Sequence, residues 1–348
     1  MARKILVAGL ALAPLAAILR WVVDAGDVTV FCFSALALVP LAWLIGDATE
    51  QAAEHTGAGI GGFLNASFGN APELIIALFA VGDRLPDVVR GSITGSIVSN
   101  LLLVLGFALV ATEKEDLDRV SLTSYLGLVG LGALLFLVPS VPGWHGNPDR
   151  HTLAVATIPV AAVLLLLYLG QTHFNLRRHR RRHRASGFKP SALSWSLPHA
   201  LLILALATGL TAMVSEILVH SLEGFAKSAG LSRFFVSAVI VAIVGNAAEH
   251  GGAIVIARRG KIRLASEIAI SSAAQVALFV APLVALLSFV VRPPLTLAFR
   301  PVELASIAGA VLIVGLIVRD QKGTRREGVI LLIAYAGMVI AYYFSGNR

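Results

Sequence analysis

Charge is what this chain of 348 residues lacks most. Asp, Glu, Lys and Arg together make up 14% of it, against about 25% in a typical soluble protein. Cysteine is almost missing: Cys32 has no partner in the chain. A disulfide scaffold is therefore excluded, and no Cys/His cluster is present to hold zinc or copper. The polar composition of a disordered chain is missing too. No H-E-x-x-H and no G-x-S-x-G occurs, which counts against a membrane hydrolase. Gly57, Gly59 and Gly62 fit G-x-G-x-x-G, but no strand precedes them, so close helix packing explains them better than a nucleotide. Gly91 and Gly95 form a G-x-x-x-G, again a packing motif.

What is present is apolar. Hydrophobic residues make up 57% of the chain and the mean hydropathy is +0.83. Apolar runs of about 20 residues recur from end to end, the mark of a polytopic membrane protein. Eleven segments are expected, near 5–23, 27–46, 58–82, 88–111, 121–141, 151–173, 196–217, 232–257, 262–288, 298–318 and 327–345. Lipid offers the backbone no hydrogen bonds, so these should be helices. The alternation of a membrane barrel is absent. The first segment follows Arg3 and Lys4 as a signal peptide would, but Arg20 and the missing cleavage consensus favour a retained helix.

The basic residues test this count. With the N-terminus inside, inner segments hold 19 Lys and Arg and outer segments 8, in keeping with the positive-inside rule. This places the N-terminus and the basic central loop in the cytosol and the C-terminus outside. It also accounts for the net charge of +8 without nucleic acid as a partner. The central stretch HFNLRRHRRRHR, residues 173–184, is the most charged. It reads either as a segment for anionic lipid or, more plainly, as a topology anchor between two halves.

The halves repeat. The first contains SFGNAPELIIALFA, with Asn70 and Glu73, and the second IVGNAAEHGGAIVIA, with Asn246 and Glu249. Both read G-N-A-x-E, 176 residues apart. Further on, GSITGSIVSN faces IAISSAAQ, aligning Ser96 with Ser271 and Asn100 with Gln275. Glu50 and Gly57 are seven apart, as are Glu223 and Gly230. Each half holds five segments, an odd number, so the second enters the membrane from the opposite side. The expected division is a peripheral first helix (1–26), one repeat (27–173), the basic linker (174–195) and the inverted repeat (196–348). Inverted repeats are a common architecture of secondary transporters, whose ion sites lie near the midplane on broken helices.

Most acids fall in loops or at segment ends; Glu73 and Glu249 fall well inside. A charge at that depth costs roughly 2.5–3.5 kcal/mol. Asn and Glu three apart share a helix face, so each motif presents an amide and a carboxylate together. Gly69 and Gly245 permit close approach and unwinding. Pro72 has no N–H and leaves the Phe68 carbonyl without its helical partner. Such hard oxygen ligands suit Ca²⁺ better than soft metals. Two glutamates match the charge of one divalent cation, and two carboxylates left in a low dielectric tend to take up protons. Competition between Ca²⁺ and H⁺ for the same oxygens is then the simplest coupling. The plainer alternative is a pair of protonated or hydrogen-bonded glutamates holding helices together.

Ser96, Ser99, Asn100, Ser271, Ser272 and Gln275 either line this site or serve interhelical packing. His250 adjoins Glu249 as a proton relay or as a packing histidine, since the next helical position points about 100° away. Asp47, Glu50 and Glu54, and Glu223 in the second half, read as a cation-attracting mouth or as ordinary solvated helix ends.

The run IGDATEQAAEHTGAGIGGFLNASFGNAPELIIALFA, then GSITGSIVSNLLLVLG, resembles the first repeat of Ca²⁺/H⁺ exchangers, the cation/proton exchanger branch of the calcium/cation antiporters. IVGNAAEHGGAIVIA and SSAAQVALFVAP resemble the second. The resemblance implies an all-α polytopic fold of one peripheral helix and two inverted five-helix repeats. It implies that Glu73 and Glu249 bind the cation, with Asn70 and Asn246 beside them. It implies Ca²⁺ and protons as partners, with no resident cofactor and no enzymatic activity. Na⁺/Ca²⁺ exchange and transport of Mn²⁺ or other divalent cations are the nearest alternatives, and a cation channel is a more distant one. Three features depart from the pattern. The central loop is Arg/His-rich where many relatives carry an acidic helix. Ala274 stands where a hydroxyl is frequent. No long N-terminal extension is present, which with the compact length favours a prokaryotic plasma membrane.

Overall fold

The computed structural model describes residues 2–112, 115–144, 150–183 and 195–346; the side chains of 2, 57–63, 65, 66, 150, 151 and 175–183 are outside the description. The described chain is almost entirely helical, as its apolar runs require. In chain order the helices are α1 (Arg3–Trp21), α2 (Asp27–Phe68), α3 (Ala71–Gly82), α4 (Pro86–Val110), α5 (Arg119–Trp144), α6 (Arg150–His183), α7 (Leu197–Ala229), α8 (Arg233–Gly245), α9 (Ala247–Arg258), α10 (Ile262–Val291), α11 (Pro301–Val318) and α12 (Arg325–Gly346). A two-residue antiparallel ladder pairs β1 (Glu115–Asp116) with β2 (Lys322–Gly323).

Among the described residues nine helices are long and apolar enough to cross a bilayer, or ten if the bent pair α8–α9 is one passage. The expected segment 58–82 is present but divided between two helices. Its first half continues α2, a single helix of 42 residues, and its second half is the 12-residue α3. At 1.5 Å per residue the 42 residues of α2 hold enough helix for roughly two crossings of a bilayer core of about 30 Å, and with α3 they account for the expected segments 27–46 and 58–82. The boundary expected between 46 and 58 is therefore not a helix end. The real interruption lies at Gly69–Asn70, just before Pro72.

Two further boundaries move for identifiable reasons. The seventh helix continues from the expected end at 217 to Ala229, where Gly230 adopts a left-handed conformation (φ 66°). Glycine pays no Cβ penalty there. Residues 292–300, partly assigned to the tenth segment, are extended instead, because Pro293 and Pro294 supply no N–H to a helix. Leu295, Leu297 and Phe299 are buried with the period of a strand. Their amides donate to side-chain hydroxyls: Leu295 to Ser288 (2.7 Å), Leu297 to Thr157 (3.2 Å) and Phe299 to Ser140 (2.8 Å). Buried irregular backbone is tolerated because it is hydrogen-bonded.

The most extensive helix pairing joins α2 and α7, the long helices that open the two halves. α1 packs on this pair, and only 11% of its apolar window is buried, so it is peripheral as expected. The Gly91–Gly95 motif on α4 is a backbone seat for α8. A Cβ on Gly91 would meet the Phe234 carbonyl and Ser237 Oγ, and one on Gly95 would overlap the backbone of Ala238.

The π-helical turns follow the repeat. One spans Ser99–Val104 in α4 and another Val276–Val280 in α10, at matching places in the two halves; a third, Val236–Val241, lies in α8. Such turns often mark functional sites. The first contains Asn100, and the second follows Gln275 directly.

Gly95→Leu is expected to destabilise the protein by about 1–3 kcal/mol or more through overpacking against α8. Gly127→Ala, where nothing lies within 4 Å of the new Cβ, is expected to be neutral. Thermal unfolding of the detergent-purified variants checks both.

Candidate functional site

Each motif sits at a helix break. Asn70 (φ −105°, ψ 17°) stands between α2 and α3, and Asn246 (φ −91°, ψ 7°) between α8 and α9, which are bent by 57°. Pro72 fits the first turn of α3, where its missing N–H is not needed. Both glutamates therefore fall in the first turn of a helix. That end carries unpaired N–H groups and a partial positive charge, which helps to hold a carboxylate.

The two motifs meet. Glu73 is buried and lies against Gly245 of the other motif: a Cβ placed on Gly245 would be 3.4 Å from Glu73 Oε1. Glu73 Oε2 is buried without a hydrogen-bond partner among the described residues. Glu249 is half-buried, and its Oε2 accepts a hydrogen bond from the Ser272 hydroxyl. The two carboxylates are within Coulombic range of one another.

The motif amides reach across to the opposite half. Asn70 Nδ2 donates to Gln275 Oε1 at 2.7 Å. Asn246 Nδ2 donates to Ser96 Oγ at 2.8 Å and to the Ala242 carbonyl at 2.9 Å. The symmetry is imperfect for a simple reason. Asn100, the counterpart of Gln275, is one methylene shorter, and its amide turns back to the Ser96 carbonyl at 3.0 Å. Ser99 Oγ donates to the same carbonyl at 3.2 Å.

The structure thus brings together Glu73, Glu249, Asn70, Asn246, Gly245, Ser96, Ser272 and Gln275, with Ser99 and Asn100 beside them. Ser271, the aligned partner of Ser96, instead donates to Ile268 of its own helix at 3.2 Å. Phe68 ends α2 and packs against the small cluster that holds Ile45, Ala71 and Leu204; Gly69 follows it in the turn. His250 is buried in the first turn of α9, its Nε2 without a hydrogen-bond partner among the described residues.

The expected mouth residues separate. Asp47 pairs with Arg3 at 3.7 Å, Glu50 is exposed, and Glu54 has a buried Oε2 with no hydrogen-bond partner among the described residues. Glu223 is committed elsewhere. It pairs with Lys227 at 2.9 Å and with Arg233 at 3.5 Å, whose Nε also holds Asp87 at 3.0 Å. Residues 184–194 of the basic linker lie outside the described residues, and 175–183 are the last turns of α6.

One acid escaped the sequence reading. Glu303 is fully buried near the start of α11. It accepts from the Arg300 backbone N–H (2.7 Å) and Nε (2.9 Å), and Arg90 Nε lies 3.6 Å away. The signal was the string Arg300-Pro301-Val302-Glu303, a helix start with an acid at its third position. Its oxygens are neutralised by arginine, unlike those of Glu73.

No group of three or more His, Cys, Asp or Glu able to hold a metal occurs among the described residues. Any cation here has two carboxylates and must complete its shell with amide, hydroxyl, carbonyl or water oxygens, a hard set.

This geometry defines a multi-pass membrane protein with an acidic site shared between two related halves. The sodium/calcium exchanger protein family matches residues 27–177 and 199–344, and the chain belongs to it. It is 34% identical over 342 residues to a Ca(2+)/H(+) antiporter of Aphanothece halophytica, covering 91% of each chain. It is 34% identical over 346 residues to the Ca(2+)/H(+) antiporter ChaA of Bacillus subtilis (strain 168), covering 97% of each. The structure of native YfkE superposes with a TM-score of 0.83 at 31% identity, over 99% of this chain and 100% of that one. An H+/Ca2+ exchanger CAX, 16% identical, shares the fold with a TM-score of 0.73, over 99% of this chain and 92% of that one.

Gly245→Ala is expected to keep most function, since its methyl would make only ordinary contact with Glu73. Gly245→Leu must displace that carboxylate, and misplacement of about 1 Å at a working site can cost roughly 100-fold in rate. Ion flux in proteoliposomes, with folding checked by size exclusion, separates the two.

Proposed function

We propose that this chain is a Ca²⁺/H⁺ antiporter that works by alternating access. The observation that carries this reading is the meeting of Glu73 with the Gly245–Glu249 motif inside the helical bundle. A buried carboxylate with one oxygen unpartnered among the described residues, near a second carboxylate in a low dielectric, favours a counter-charge. A divalent cation supplies it for both acids at once, and protons supply it one at a time. The two loads exclude each other because they use the same oxygens. The names of the relatives, Ca(2+)/H(+) antiporters in Aphanothece halophytica and Bacillus subtilis, support the same choice.

Each residue has a role in this reading. Glu73 and Glu249 are the cation and proton carriers. Asn70 and Asn246 offer amide oxygens, with Gly69, Gly245 and the Phe68 carbonyl at the unwound points. Gln275 and Ser96 hold the two asparagines, and Ser272 steadies Glu249. The halves act as inverted repeats, 27–173 and 196–348, that rock about the shared site. The N-terminus and the basic linker face the cytosol, the C-terminus faces outside, and Ca²⁺ is exported at the expense of the proton gradient.

Glu73→Gln and Glu249→Gln should each abolish exchange with little loss of folded protein, since size is kept and charge removed. Proteoliposomes under an imposed pH gradient, with and without Na⁺, provide the assay. Full activity in either variant overturns the shared site. Uptake indifferent to the pH gradient but driven by Na⁺ replaces proton coupling with Na⁺ exchange, and conductance without countertransport makes the protein a channel.

A further inference from the structure

Away from the glutamates, an open groove of about 710 Å³ lies where α5 begins, beside the start of α10 and the turn that precedes β2. Its lining is rich in donors. Arg119 and Thr123 are exposed, and neither side chain has a hydrogen bond or ion pair among the described residues. Gln321 adds an exposed amide to the lining. Arg263 is held only loosely, with Nη2 3.7 Å from Asp116 Oδ2 and Nε donating to the Asp116 carbonyl at 3.2 Å. The one acid in the lining, Asp118, is turned onto the first turn of α5, where it accepts from the Ser121 amide at 3.2 Å. There the helix end offsets its charge. Beside these polar groups Val120 is 73% exposed, an apolar rim at the end of a membrane-crossing helix.

Two arginines, a hydroxyl and an amide converging on one groove match the oxygens of a phosphate group, for which arginine is the preferred partner. We propose that this groove binds a phosphate-bearing anion, either the headgroup of an anionic phospholipid or free phosphate. The groove is built from both halves of the chain. Arg119 follows the loop that carries β1, whereas Arg263 opens α10, next to the end of α9. A phosphate held by both arginines therefore ties the first half to the α9–α10 pair that carries Glu249 and Ser272. This regulatory consequence rests on the proposed exchange site; the binding itself does not.

The test is native mass spectrometry of the full chain in detergent with equal phosphatidylglycerol and phosphatidylcholine, set beside thermal unfolding in inorganic phosphate or in chloride at equal ionic strength. The wild type should retain phosphatidylglycerol preferentially, or be stabilised by inorganic phosphate. The first result assigns the lipid headgroup, the second the free ion. The Arg119→Gln/Arg263→Gln variant should lose that preference, by about fivefold per arginine. Thr123→Trp, which fills the groove and keeps both charges, should lose it as well, and it decides the matter if the double variant does not fold. Equal behaviour of wild type and the folded variants towards both probes overturns the proposal. Loss of phosphate binding with unchanged exchange removes only the regulatory consequence, and loss of exchange in Glu73→Gln with intact phosphate binding tests the glutamates alone.

Discussion

A buried carboxylate with one oxygen lacking a hydrogen-bond partner among the described residues is the constraint around which this chain is arranged. Glu73 Oε2 has no partner among the described residues, and leaving such a group uncompensated in an apolar interior is expensive. The fold meets that cost partly through helix ends. By interrupting the chain at Asn70 and at Asn246, it brings two helix N-termini to the acids, each supplying free amides and a favourable dipole. In the proposed exchange, a bound cation or proton supplies the rest of the compensation.

The surrounding structure keeps the two acids in one place. Asn70 is anchored to Gln275 and Asn246 to Ser96, so each motif is fixed by the opposite half rather than by its own. The Gly91–Gly95 seat lets α4 and α8 approach at backbone distance, which brings Ser96 within reach of Asn246. The π-helical turns beside Asn100 and Gln275 lie next to these anchors. Glu303 is the instructive contrast. It is just as deeply buried, yet Arg300 and Arg90 already compensate its charge.

Much of this was legible from the amino acids. The apolar runs predicted the helices because a lipid-spanning backbone has to satisfy its hydrogen bonds locally. The duplicated G-N-A-x-E strings pointed to Glu73 and Glu249, because charge at that depth is too costly to occur twice without a use. Glycine and proline in the motifs signalled the breaks at Asn70 and Asn246. Less was legible where local signals compete. The α2 helix runs through a polar, glycine-containing stretch that hydropathy reads as a boundary, and the Arg292–Arg300 strap is apolar enough to pass for the start of a helix.

Hydropathy, the spacing of Asn and Glu, and the position of proline are properties of short stretches, and the sequence by itself determined them: helical, membrane-spanning, twofold repeated, acidic within. Contacts between residues 150 to 205 positions apart depend on how whole helices pack. Only the tertiary structure decided that Gln275 reaches Asn70 while the shorter Asn100 folds back, that Ser272 rather than Ser271 meets a glutamate, and that Glu223 is spent on Arg233. A difference of one methylene or of one helical position settles each of these, and no periodicity in the chain records it.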